Sequence, residues 1–197
     1  NKNDFIKLRA KTDSGALKKK FSNKEIFNKN LPNNPSCKSL YGIAEKIRYE
    51  LLGGKMLKGV GKNLNENYSQ KILSNRKDQL KNKEDVPVTE AFELYMLNKF
   101  FKLELNDVST KMLDFWKKEF DESIDKHFDF LSKNLEDQNN YSLKFSEILE
   151  NMGVFASNNE ENNEENNEQE NEQDNKSEND NDSQSDDKEE ENKQDDS

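Results

Sequence analysis

The sequence predicts an all-α protein: a bundle of five or six helices followed by a disordered acidic tail. Three observations lead there. Apolar residues recur at helical spacing through residues 1–156, and no stretch alternates with the period of two that marks a strand. From Ser157 to Ser197 there is not one Ala, Val, Ile, Leu, Met, Phe, Trp, Tyr or Cys. That same stretch holds 18 acidic residues against three lysines. It cannot bury enough apolar surface to offset the roughly 1–2 kcal/mol per residue that backbone ordering costs. The organisation expected is therefore a helical domain over 1–156 and a disordered acidic linker over 157–197.

The elements follow in order. Phe5, Leu8 and Thr12, then Ala16 and Leu17, predict a first helix from about Phe5 to Lys20, weakened at Gly15. Asn28 to Ser36, with Pro32 and Pro35 among asparagines, reads as a loop. Leu40, Ile43, Ala44, Ile47 and Leu51 form one face of an amphipathic helix starting near Ser39. Gly53, Gly54, Gly59 and Gly61 then either kink the helix or let another backbone approach closely. Leu64, Tyr68 and Ile72 restore a helical stripe before a polar stretch at Asn75–Asp85.

Val86-Pro87-Val88 reads as a helix entrance, since Pro is tolerated in the first turn. The run Ala91, Phe92, Leu94, Tyr95, Leu97, Phe100 and Phe101 is apolar nearly all round, which marks a buried central helix. Asn106-Asp107 offers a cap for a long helix with the stripe Met112, Leu113, Trp116, Phe120, Ile124, Phe128, Leu131 and Leu135. A last short helix, capped near Asn140–Ser142, carries Tyr141, Phe145, Ile148, Leu149 and Met152 and stops at Gly153.

Charge is divided along the chain. Residues 1–83 carry 20 bases and seven acids, while residues 84–156 carry eight bases and 16 acids. The basic half reads either as a patch for nucleic acid or a partner, or as the ordinary solvated surface of a Lys-rich chain. Its bases are scattered, which favours the second reading. No apolar run approaches the roughly 20 residues needed to cross a bilayer, so no membrane role and a cytoplasmic location are expected. The chain begins at Asn and stops inside the acidic run, so a fragment of a longer protein is expected.

Catalytic chemistry finds little support. Cys37 is the only cysteine and His127 the only histidine, which excludes a disulfide within the chain and a Cys/His metal cluster. His127 lies between Lys126 and Phe128 beside an apolar stripe, and Cys37 lies in a Pro/Asn loop with no base near it. The pairs Glu84-Asp85, Asp121-Glu122 and Glu136-Asp137 are what a chain with 41 acids produces on solvated faces. The glycines and lysines from Gly53 to Lys62 lack the spacing and the Ser/Thr of a phosphate loop. Asn181-Asp182-Ser183-Gln184-Ser185 has Asn where an Asp-x-Ser-x-Ser metal site begins with Asp. Catalytic, cofactor-binding and metal residues are all expected to be none.

One segment stands apart. In Glu45 to Leu64, Glu45, Arg48 and Glu50 are charged groups beside an apolar face, and Arg48 can reach Glu45 or clamp another carboxylate. The pattern E-x-x-R-x-E-x-x-G, followed by G-V-x-x-N-L, resembles the amino-terminal region of the cobaltochelatase subunit family CobT. It matches at Glu45, Arg48, Glu50, Gly53, Gly59, Val60, Asn63 and Leu64. Arg9, Asp13, Ala16 and Leu17 resemble the family's preceding helix. The Pro87–Leu103 segment, Trp116 and Ile148–Gly153 have counterparts in the same order, before an acidic linker.

The resemblance implies a non-catalytic subunit of an ATP-dependent cobaltochelatase, which inserts cobalt into a corrinoid ring in cobalamin biosynthesis. It implies an adaptor to an AAA+ ATPase subunit, acting with it on a large chelatase subunit. ATP, Mg and Co would be handled by those partners or by the family's carboxy-terminal von Willebrand A-type domain, which this chain lacks. Glu45, Arg48, Glu50, Gly53, Gly59 and Asn63 become possible partner-binding residues. A different class of function also fits the basic half: a module binding nucleic acid or basic protein, with an acidic autoinhibitory tail.

Overall fold

The computed structural model describes residues 2–74 and 82–153, which form nine α-helices and no strand. The acidic segment 157–197, with Asn181–Ser185 inside it, lies outside the described residues. Among the described residues no helix is long and apolar enough to cross a membrane.

Helix α1 spans Lys2–Phe21 and buries Ile6, Ala10 and Leu17. Helix α2, Lys24–Lys29, has no signal in the periodicity because six residues are too few to show a face. Its local determinant is Asn23, whose side chain accepts from the N–H groups of Glu25 and Ile26. Helix α3, Pro35–Met56, starts four residues before the expected Ser39. Asn34 caps it through the Ser36 N–H, so Pro35 opens the first turn and does not end a loop. Helix α3 runs unbroken through Gly53 and Gly54, and α4, Lys58–Leu73, turns back alongside it.

Helix α5, Val88–Phe101, is the buried central helix the sequence predicts. It stops at Lys102, whose φ of 57° is the left-handed conformation that ends a helix. Asn106 caps α6, Asp107–Asp114, and its amide donates back to the Ile72 carbonyl at 3.0 Å, tying α6 to α4.

The long helix expected from Met112 to Leu135 is divided into α6, α7 (Lys117–Ile124) and α8 (Phe128–Lys133). The reason lies in the stripe itself. Trp116, Phe120, Ile124 and Phe128 are each four apart. In a straight helix each such step overshoots a full turn by about 40°, so three steps carry the stripe about 120° off the core. The breaks at Trp116 and at Asp125–His127 reset the direction. The Trp116 indole N–H then donates to the Val86 carbonyl at 3.1 Å, and Phe128 packs on Phe100 with centroids 4.9 Å apart.

Helix α9, Gln138–Glu150, is capped by Asp137, which accepts from the Asn140 N–H at 3.0 Å. Helix α3 is the hub of the fold, packed by α1, α4, α5 and α9. Against α9, the Tyr141 hydroxyl donates to the Ala44 carbonyl at 3.0 Å and the Cys37 thiol to the Leu149 carbonyl at 3.4 Å. Helix α5 joins α7 through Phe92 on Phe120, and through Tyr95, whose hydroxyl donates between Asp121 and Asp125 beside Lys99.

Candidate functional site

The motif residues cluster where α1 lies across the α3–α4 hairpin. Glu45 and Arg48 are one turn apart on α3, and both are buried, at 3% and 1% exposure. The guanidinium makes a two-pronged contact with the carboxylate, Nε to Oε2 at 2.8 Å and Nη2 to Oε1 at 2.9 Å. Its remaining donors reach the carbonyls of Leu135, at 2.8 Å, and Phe21, at 2.5 Å. Glu45 Oε1 also accepts from the Ser22 hydroxyl at 2.6 Å and the Gln138 amide at 3.1 Å. Gln138 in turn brackets the Asn23 backbone, accepting from its N–H at 2.7 Å and donating to its carbonyl at 3.0 Å. One ion pair therefore ties together the end of α1, the middle of α3, the loop after α8 and the start of α9.

Glu50, two residues beyond Arg48 on α3, is 1% exposed and has no cation within ion-pair distance among the described residues. It accepts from the Ser14 hydroxyl on α1 and the Tyr68 hydroxyl on α4, both at 2.5 Å. Burial pushes its carboxyl above the ordinary 4.5, against the opposing pull of Lys46 and of the Ser14 and Tyr68 hydrogen bonds. A carboxyl raised in the folded state stabilises the fold fully below its unfolded value, and that contribution is lost as pH rises through the folded value. The wild-type chain is therefore expected to lose stability from about pH 4.5 upward through this group. Glu50→Gln should flatten that part of the profile, because the amide can still bond both hydroxyls. Urea unfolding of the two proteins across about pH 4 to 8 checks it, and superimposable profiles would remove Glu50 as the cause.

The glycines act by proximity. A Cβ on Gly53 would lie 2.1 Å from Leu17 Cδ2 and 2.7 Å from its Cγ, so α1 presses directly on the α3 backbone here. A Cβ on Gly61 would lie 3.0 Å from the Gly54 carbonyl oxygen and 3.1 Å from its Cα. Of the two readings open for these glycines, close backbone approach is realised between Gly54 and Gly61, whereas Gly53 makes room for the Leu17 side chain. Asn63 completes the set, its amide donating to Asp13 on α1 at 2.7 Å. Gly59 differs: it is exposed, and a Cβ there would meet nothing within 4 Å.

Groups with catalytic potential are dispersed. Cys37 is fully buried, and burial, with Glu150 nearby, pushes its thiol up to about 11. His127 is half-buried, with its pKa lowered by burial and by Lys144 and Lys126. Asp85 and Asp137 each engage the backbone N–H at a helix start, Asn82 and Asn140 respectively. A cleft of about 620 Å³ between α1, α3 and α4, closed by Glu93 of α5, has Lys7, Lys46, Glu50, Tyr68 and Lys71 among its lining. Lys46 and Lys71 there are both paired with Glu93. Among the described residues no group of three His, Cys, Asp or Glu is placed to hold a metal ion.

A family model described as Cobalamin biosynthesis protein CobT matches residues 1–197, the whole chain. The chain belongs to the CobT family. Membership ties it to cobalamin biosynthesis and to the cobaltochelatase that serves it. No solved structure gives a significant match.

In this CobT chain five of the six motif residues, all but Gly59, sit in contacts between its own helices. Spacing alone brings Glu45 and Arg48 together, but it gives no hint of Ser22 and Gln138 as partners of Glu45, or of Ser14 and Tyr68 as partners of Glu50. Gln138 lies 93 residues from Glu45, and polar residues of these types carry no periodic signal. A signal does exist for Asp13 and Asn63, both of which stand in the family pattern and are bonded to one another.

Proposed function

We propose that this chain is a non-catalytic adaptor subunit of an ATP-dependent cobaltochelatase in the cytoplasm, docking on an AAA+ ATPase subunit that acts with a large chelatase subunit. The observation that carries the reading is the family match over residues 1–197. The geometry agrees with it. The motif's charged side chains brace helices against one another, which suits a rigid docking body better than a reaction centre. ATP hydrolysis and cobalt insertion belong, in this reading, to the partners, and cobalt is cargo.

The test is gel filtration of the full chain with the ATPase subunit encoded in the same genome. Co-elution at low ionic strength is expected, and separate elution there would count against docking. Duplex DNA in place of the ATPase provides the competing arm. A steeply salt-dependent complex with DNA, and none with the ATPase, would favour the nucleic-acid reading.

A further inference from the structure

We infer that the α3–α4 corner is the docking knob of this domain, and that it seats in an apolar pocket rimmed by Asp and Glu on the ATPase subunit. The inference rests on the adaptor reading and adds the surface and its chemistry. Met56 and Leu57, at the corner, are 59% and 53% exposed although both are large and apolar. Lys55, Lys58 and Lys62, also exposed, surround them. No acidic residue occurs between Glu50 and Glu66, and none of the three lysines forms an ion pair among the described residues. An apolar centre with a charged rim is the anatomy of a protein-binding patch, and here the rim has one sign.

The corner is also held rigidly. Leu57 donates its N–H to the Gly53 carbonyl at 2.8 Å and accepts from the Gly61 N–H at 3.0 Å. Gly53 touches Leu17 of α1, and Gly54 touches Gly61 across the hairpin. Gly53, Gly54 and Gly61 thus sit within about two turns of the exposed pair and fix its position, while leaving it uncovered. Helix α4 begins at this point with no side-chain cap and no acid in its first turn, which adds to the positive field a carboxylate rim would meet.

The test compares four full-length chains for affinity to the ATPase subunit at about 50 mM and about 500 mM salt. They are the wild type, Met56→Ser with Leu57→Ser, a triple charge reversal at Lys55, Lys58 and Lys62 to Glu, and Phe5→Ser with Leu8→Ser on the exposed face of α1. The apolar double variant is expected to bind at least about tenfold more weakly at both salts. The charge reversal should lose about tenfold at low salt and much less at high salt. The α1 control should bind like the wild type, and all four should unfold at the same denaturant concentration. If the apolar variant unfolds early, the charge-reversal arm decides.

Wild-type affinity in both corner variants would overturn the knob while leaving the adaptor reading intact. Equal loss in the α1 control would do the same. Failure of the wild type to bind the ATPase at either salt would end both. Vesicles of phosphatidylcholine with about one-third phosphatidylserine form a last arm. Lysine-dependent binding to them, with ATPase binding unchanged by the corner variants, would replace the protein occupant by a lipid surface.

Discussion

Arg48→Ala should destabilise the chain by about 3–5 kcal/mol, the largest effect expected of any single substitution in the motif. The loss goes beyond one ion pair. Removing the guanidinium leaves Glu45 as a buried carboxylate with only Ser22 and Gln138 to satisfy it, and it leaves the carbonyls of Phe21 and Leu135 without the donor they share. Glu45→Ala should be damaging for the mirror reason, a buried cation facing only carbonyls. Replacing both with Ala removes both charges at once. The double variant is therefore expected to be less destabilised than the sum of the singles by about 1–3 kcal/mol. Urea unfolding of the four proteins measures it, and strict additivity would mean the pair is not coupled.

The second large effect is a contrast between two glycines. Gly53→Ala should cost about 1–3 kcal/mol even though alanine is the better helix former. The new methyl lands on the body of the Leu17 side chain, not merely its tip, and Leu17 is itself buried. Leu17→Ala in the same chain should relieve the clash, so that the pair is less destabilised than the two changes added. Gly59→Ala has no neighbour to meet and should stabilise by up to about 1 kcal/mol through helix propensity alone. Opposite signs from one substitution, six residues apart, are what thermal unfolding should report. A loss at Gly59 equal to that at Gly53 would show that the glycines serve something other than packing.

Much of this is legible in the sequence, and the parts that are not share a cause. Helical periodicity identifies α3, α4, α5 and α9, because each buries the apolar residues that repeat. Helix α1 is a helix as expected, but Phe5 and Leu8 of its expected stripe are exposed, and Ile6 and Ala10 face the core with Leu17 instead. Helix α2 does not show, since its six residues are organised by the Asn23 cap and not by a stripe. The break between α7 and α8 is present as the four-residue spacing of Trp116, Phe120, Ile124 and Phe128, but reading it requires asking whether a straight helix could keep all four inward. The start of α3 is ambiguous because Pro35 signals a loop and a helix entrance alike, and the Asn34 cap decides between them.

The site divides the same way. Spacing within one helix pairs Glu45 with Arg48, whereas their ties to Leu135 and Gln138 depend on the tertiary fold and have no local trace. The pattern of residues marks the segment; it does not reveal that the charges face inward and that the uncovered part is Met56–Leu57. That division is physical. A buried ion pair and a surface ion pair have the same sequence spacing, and only packing separates them.

The most direct measurement is the unfolding free energy of Arg48→Lys in the isolated chain, with no partner present. Lysine keeps the charge but cannot hold the two carboxylate oxygens and two carbonyls in one plane. A loss of about 2 kcal/mol or more is expected, since a buried charge with its hydrogen bonds incompletely replaced carries a penalty of that order. Stability equal to the wild type would show instead that the motif is not an internal brace.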